Sequence, residues 1–177
     1  GFRSFYSLDL PIISDTNTIK NYYNYSHYFD FFEKNFSSIS IYLQSANSLN
    51  NKDIKLSERI NIPSSRLRGF EAGRVGPKDG DDFVGGNYAY SINFASNIPQ
   101  LFEESQSIDF LIFADAADIW GVDYNSSIEG EGIRSSIGVA LDWMTPIGPM
   151  SFSFAHPITK KDGDVTETFR FNLGTTF

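Results

Sequence analysis

The sequence predicts an all-β, antiparallel transmembrane β-barrel. Eight segments alternate apolar and small polar residues with a period of two, and most of them are nine to thirteen residues long. A membrane-crossing strand needs about 9–11 residues, whereas an ordinary strand has about 5–6. The connections also alternate between longer and shorter loops, as they do in outer-membrane barrels. A soluble β-sandwich shares the apolar–polar alternation and is the alternative fold.

The eight predicted strands share one plan, in which one face is apolar and the other carries mainly Ser, Asn, Gly and Ala. In chain order they span residues 2–10, 20–29, 37–45, 87–95, 108–116, 133–143, 149–156 and 165–177. The strand of residues 87–95 is typical, with Tyr90 and Ile92 on the apolar face and Ser91 and Asn93 opposite. A small polar face suits a wet or plugged lumen, and aromatic residues near strand ends suit the girdles at a membrane interface.

The connections fall into two sets. Residues 11–19, 47–86, 121–132 and 158–164 join strands on one side, and residues 30–36, 99–107 and 145–148 join them on the other. The first set contains the longest connections, so we expect it to be external and the C-terminal end to be periplasmic.

Residues 47–86, the long loop, interrupt the strand pattern. A structureless connection of this length is uncommon and is usually functional or disordered. Disorder is disfavoured by the apolar content, which includes Ile60, Ile62, Val75 and Phe83. At its centre lies Arg66-Leu67-Arg68-Gly69-Phe70. We therefore expect the long loop to pack against another part of the protein.

Composition excludes several classes. The formal charge of −8 disfavours nucleic acid as a partner, because phosphate binding needs a basic patch. The absence of Cys excludes disulfides and thiolate metal sites, and no run of 18 apolar residues predicts a transmembrane helix. Strand alternation already begins at Phe2, so we expect the chain to be a fragment.

The residues that usually carry chemistry form no convincing catalytic or metal site. His27 and His156 are far apart in sequence, and His156 has no suitably placed nucleophile or orienting group. The acidic turn of residues 79–82 lacks the spaced acids and closing Glu of a calcium loop. Residues 162–164 are most simply a hairpin turn. We predict no enzyme activity, cofactor or metal.

Charges on the lumen face offer a different role. By strand parity, Asp109 and Asp115 share that face with Arg3 and Arg170. If the long loop folds inward, Arg68 meets this wall, and a buried guanidinium needs a carboxylate partner. Asp115 is the best candidate by parity; the alternative is that Arg68 is an exposed residue of an outer loop.

Four ordered motifs resemble the BamA family of outer-membrane protein assembly factors, within the bacterial surface antigen superfamily. In chain order they are Leu67-Arg68-Gly69-Phe70 with Val75-Gly76-Pro77-Lys78 and Val84-Gly85-Gly86-Asn87; Phe113-Ala114-Asp115-Ala116 with Ile119-Trp120; Trp143-Met144-Thr145-Pro146-Ile147-Gly148-Pro149 with Phe152-Ser153-Phe154-Ala155; and Phe169-Arg170-Phe171-Asn172-Leu173-Gly174-Thr175-Thr176-Phe177. The resemblance is dense over residues 66–177, and residues 1–60 share only the strand pattern.

The resemblance implies a 16-stranded barrel of which this chain, residues 1–177, is the C-terminal half, without the periplasmic transport-associated domains and the first strand. It implies that the loop residues Arg68, Gly69 and Phe70 dock on lumenal acids. Asp115 matches one acid, and Asn93 replaces a second, so the docking is expected to depend on Asp115 alone.

It also implies a lateral gate and a targeting signal in the last strand, carried by Phe169, Phe171, Leu173 and Phe177. The implied setting is the outer membrane of a Gram-negative bacterium. The implied partners are unfolded outer-membrane proteins, outer-membrane lipids and accessory assembly lipoproteins. Two alternatives stay open: a translocation and assembly module resembling TamA, and a stand-alone small barrel that acts as an adhesin or a lipid enzyme.

Overall fold

Eight strands form one antiparallel sheet in the computed structural model, which describes residues 1–11, 17–99, 107–128, 132–146 and 148–174. In chain order the strands are β1 (Phe2–Asp9), β2 (Thr18–Phe29), β3 (Ser37–Ser48), β4 (Lys78–Asp79), β5 (Asp82–Phe83), β6 (Tyr88–Asn97), β7 (Ile108–Trp120), β8 (Arg134–Thr145), β9 (Gly148–Thr159) and β10 (Phe169–Leu173). β4 and β5 form a small separate hairpin, and a 3-10 turn spans Leu56–Glu58.

The large sheet has the order β1-β2-β3-β6-β7-β8-β9-β10. Apart from the separate β4–β5 hairpin, strands that follow one another along the chain are therefore neighbours in the sheet. The predicted all-β class and the eight strands are confirmed; seven of the eight have 8–13 residues, and β10 has five. Within the described residues, β1 and β10 are the two edges of the sheet and do not pair with each other. Among those residues, no helix is long and apolar enough to cross a membrane.

The last predicted strand begins too early, and the predicted strand of residues 108–116 ends too early, since β7 continues to Trp120. The alternation predicted a strand over residues 165–177, but β10 contains only Phe169–Leu173. Residues 165–167 make no hydrogen bond to β9, and Phe177 lies outside the described residues. The period-two pattern reports which way side chains point, and it does not show which neighbour the backbone pairs with.

The outward face of the sheet is apolar and exposed, as the alternation predicted. Phe154 is 54% exposed and Ile137 51% exposed, and each lies in the middle of its strand. Side chains on this face include Ile39, Leu43, Ile92, Ile112, Ile137, Phe154, Phe169, Phe171 and Leu173. An apolar surface of this kind is a feature of strands that face lipid.

The buried core lies on the inward face, between the sheet and the long loop, which in the structure connects β3 to β6 as residues 49–87. Larger side chains of the loop pack against mostly small side chains of the sheet. The buried cluster consists of Ala46, Ile54, Ile60, Ile62, Leu67, Phe70, Val75, Ala89, Ala117 and Ile119. The loop is therefore packed on the inner wall, and its apolar residues form most of the core.

Candidate functional site: an arginine of the long loop on the inner wall

The inner wall presents a row of polar side chains across three strands. Register pairs Asn93 of β6 with Asp115 of β7, and Asp115 with Ser136 of β8. Directly paired residues of antiparallel strands point to the same face. All three residues are buried, and the Asp115 side chain has no exposed surface.

Arg68 of the long loop meets this row at Asp115. Its Nε donates to Oδ2 at 2.7 Å and its Nη2 donates to Oδ1 at 2.8 Å, which is the two-pronged geometry that suits a carboxylate. The backbone amide of Arg68 also donates to Oδ2 at 3.1 Å. The guanidinium carbon lies 3.5 Å from the centre of the Phe113 ring, a cation–π contact.

Asn93 and Ser136 complete the site from either side. The Asn93 amide nitrogen donates to Asp115 Oδ1 and to the carbonyl of Arg66, both at 2.8 Å. The Ser136 hydroxyl donates to the carbonyl of Arg68. Asn93 therefore supports Asp115 and holds the loop backbone, two contacts that strand parity alone does not indicate.

Gly69 and Phe70 continue the contact along the wall. Gly69 has φ +91°, and a Cβ at that position would lie 3.1 Å from Ala155 Cβ and 3.2 Å from Ser136 Cβ. The loop backbone therefore lies so close to β8 and β9 that an added side chain would crowd Ser136 and Ala155. Phe70 is 1% exposed and belongs to the buried cluster.

A second ion-pair cluster at the loop end of the sheet was missed by sequence reasoning. Arg134 donates from Nε to Asp164 Oδ2 and from Nη1 to Asp118 Oδ1, both at 3.0 Å. The amide of Gly76 in the long loop donates to Asp164 Oδ1 at 3.3 Å. Residues 162–163 form a turn, as predicted, but the buried Asp164 side chain joins that turn to β8 and the loop.

The first part of the long loop is held at its base by another ion pair. Arg59 donates to Asp123 and, at 3.2 Å, to the carbonyl of Ile54, whose amide donates to Asp123 at 2.7 Å. Partial burial raises the pKa of the Asp123 carboxyl, but the Ile54 hydrogen bond and Arg59 outweigh it. The net pKa lies below the ordinary value.

The inner face and the docked loop line an open cavity of about 720 Å³. Its lining includes Arg3, Ser40, Arg66, Asp142 and Asn172. Within the described residues, no group of three or more His, Asp and Glu side chains is placed to hold a metal ion. His27 and His156 are both exposed, on different strands.

These features define a segment of a membrane β-barrel. Most of its strands are long enough to cross a membrane, its outer face is apolar, and an arginine anchors a loop on its inner face. The chain belongs to the Omp85 superfamily, whose domain matches residues 6–177. It is therefore part of a family of outer-membrane β-barrel assembly factors, located in the outer membrane of a Gram-negative bacterium. This membership confirms the predicted fold class and resemblance.

Individual relatives and a solved structure also match this chain. The chain is 35% identical over 140 residues to the outer membrane protein assembly factor BamA of Neisseria meningitidis serogroup B, covering 63% of this chain and 17% of that protein. It is 29% identical over 151 residues to a SAM50-like protein of Schizosaccharomyces pombe, covering 79% of this chain and 31% of that protein.

The crystal structure of BamA from Haemophilus ducreyi lacking POTRA domains 1-3 matches with a TM-score of 0.82 and 29% identity. The match covers 97% of this chain and 37% of that one. The chain thus spans less than two fifths of the length of each of these three proteins.

Proposed function

We propose that this chain is the C-terminal half of the barrel of a BamA-type factor that folds and inserts client proteins into the outer membrane. Residues 1–177 supply eight strands and the inward-docked long loop. Eight further strands and periplasmic transport-associated domains complete the protein outside this chain. The small share of each relative that the chain covers supports this division.

The observation that carries the proposal is the docking of the long loop on the inner wall of the sheet. Arg68 fixes the long loop on Asp115, inside the sheet. Within the described residues, β1 and β10 are the two edges of the sheet, and in the proposed complete barrel each of them faces a strand that lies outside this chain. An unpaired edge presents a row of N–H and C=O groups that an incoming strand can use.

In the proposed mechanism, clients pair with this edge by β-augmentation, and no covalent bond is made or broken. The edge of β10 and the first strand of the complete barrel form a lateral gate that opens toward lipid. Phe169, Phe171 and Leu173 lie on the exposed outer face beside that gate. Outer-membrane lipids contact this face, and accessory lipoproteins assist from the periplasm. The protein is not an enzyme.

A disulfide cross-link between β10 and a client tests the proposal. The chain contains no cysteine, so Asn172→Cys on β10 is a single reporter. We expect it to cross-link to a cysteine in the terminal strand of a client during insertion, and not after the client has left. Ser91→Cys, fully buried in the middle of β6, is the matched control and should stay unreacted. Equal reaction of the two positions, or none at Asn172→Cys, would overturn the gate.

A further inference from the structure

The chain leaves the barrel wall just before β10. The Ala155 amide of β9 donates to the carbonyl of Thr168 at 2.9 Å, and this is the last hydrogen bond described between β9 and the segment entering β10. The register of β10, in which Phe169 pairs with Phe154, would continue by pairing Val165 with Ile158. The structure does not make that pair, so residues 165–167 take other partners.

Those partners belong to the long loop. The Glu71 amide donates to the carbonyl of Val165 at 2.9 Å, and the Val165 amide donates to the carbonyl of Arg74 at 3.0 Å. The amide of Glu167 donates to the carbonyl of Gly69 at 3.0 Å. Phe70 and Thr166 form an antiparallel bridge between these contacts. The loop and residues 165–167 therefore pair as two short extended segments on the inner face of the sheet.

Pro157 gives a reason for this change of partner. Amides of alternate residues on a strand point to the same edge, so the next donor after Ala155 on the β10 side falls at position 157. Proline has no N–H, and its ring disfavours continued pairing at that edge. The ladder between β9 and β10 thus ends at Thr168, and the unpaired backbone of residues 165–167 is free to bond the loop.

Arg170 adds a side-chain anchor from within β10. Its Nη1 donates to the carbonyl of Ser64 and its Nη2 to the carbonyl of Phe70, both at 2.7 Å. Its Nε donates to Glu167 at 2.9 Å, which orients the guanidinium. One cation of the last strand therefore holds the long loop at two points on either side of Arg68.

We propose that residues 165–167 and Arg170 form a second docking site for the long loop, separate from Asp115. The docked loop holds the start of the last strand away from β9. When the loop undocks, this restraint is lost, and residues 165–167 move to β9 and lengthen the pairing of β10, with Pro157 leaving that added ladder one hydrogen bond short. The consequence for the gate rests on the proposed function: loop docking sets how much of the last strand is joined to the wall.

Two engineered cysteine pairs measure this choice of partner in the full-length protein inserted in outer-membrane vesicles. Glu71→Cys with Val165→Cys reports the docked pairing, because paired Cα atoms lie about 5.5 Å apart and a disulfide spans about 4.4–6.8 Å. Ile158→Cys with Val165→Cys reports the wall pairing. We expect efficient oxidation of the first pair and only background oxidation of the second.

Two variants should then shift the ratio of the cross-links. Arg170→Ala removes the anchor and Pro157→Ala supplies the missing amide, so each should raise the wall cross-link relative to the docked one. For Arg170→Ala we expect a change of at least about tenfold, because the variant loses two hydrogen bonds from a charged group to the loop and one such bond already corresponds to about tenfold. Arg74→Ala is the matched control, because its side chain forms only an exposed ion pair with Glu71, and Val165 bonds the backbone carbonyl of Arg74, which the substitution keeps.

The readouts separate this inference from the proposed function. Equal cross-linking of both pairs in the otherwise unaltered protein, or an unchanged ratio in a folded Arg170→Ala variant, would overturn the second docking site. Folding is checked by the heat-dependent migration of the barrel on gels. A shifted ratio supports the second docking site whether or not client insertion changes, and unchanged client insertion would then count against the proposed function alone.

Discussion

Asp115 accepts four hydrogen bonds, and three of them come from Arg68. Two leave the guanidinium at 2.7 and 2.8 Å, and the third leaves the backbone amide of the same residue at 3.1 Å. The fourth comes from Asn93. A buried carboxylate needs this degree of pairing, since an isolated buried charge is very costly. The contact therefore fixes both the side chain and the backbone of the loop tip.

Arg68→Ala should release the loop. Removing one partner of a buried pair leaves an uncompensated charge at Asp115, and this typically costs about 3–5 kcal/mol. We expect a protease added to intact vesicles to cleave the long loop in the variant and to spare it in the unaltered protein. Arg74→Ala is the control, because its ion pair with Glu71 is exposed on both sides. A loop that stays protected in Arg68→Ala would show that the apolar contacts are sufficient.

Asn93→Asp should weaken docking. The resemblance implied that a second acid would strengthen the grip on Arg68, but the Asn93 amide donates to Asp115 and to the loop carbonyl of Arg66. A carboxylate there loses both donations and faces Asp115 with like charge. Each lost hydrogen bond of a buried group costs about 1–3 kcal/mol. In the protease assay we therefore expect more cleavage of the long loop in Asn93→Asp than in Asn93→Ala, which is the comparison.

The strands and the Arg68–Asp115 contact could be predicted from the sequence because both follow from local rules. Period-two alternation assigns each residue to a face, and parity then places Asp115 inside. The role of Asn93 as a donor was not reached, because it depends on where the loop backbone lies. The Arg134–Asp164 pair joins residues 30 apart that look like a strand end and a turn. Partners of that kind are set by the tertiary path of the chain.

Gly69→Ala should disturb docking more than Gly73→Ala. Both glycines have positive φ, at +91° and +70°, so a side chain strains the backbone at either position. Only at Gly69 does the added Cβ meet the wall, at 3.1 Å from Ala155 and 3.2 Å from Ser136. We expect increased protease cleavage of the loop in Gly69→Ala beyond that in Gly73→Ala. Equal cleavage would mean that backbone strain alone accounts for the effect.

Deletion of Phe177 should lower the amount of the protein in its own membrane. Phe169, Phe171 and Leu173 share the outer face of β10, and the resemblance extends this pattern to the terminal aromatic. Quantifying the protein in outer-membrane fractions checks this, and Lys160→Ala, an exposed change after β9, is the control. Unchanged levels after the deletion would remove the targeting role from Phe177.

The base of the long loop should loosen on acidification. Hydrogen bonding and Arg59 hold the folded-state pKa of Asp123 below its ordinary value of 3.8, against the effect of burial. A carboxyl with a lowered pKa stabilises the folded state above its unfolded-state pKa, and that contribution is lost as pH falls through the folded-state pKa. Cleavage of the loop by a protease that is active in acid should therefore rise as the pH falls below about 3.8, toward the level seen in Asp123→Asn. Asp81→Asn, on an exposed turn, is the control, and a pH profile unchanged by Asp123→Asn would exclude this ion pair as the cause.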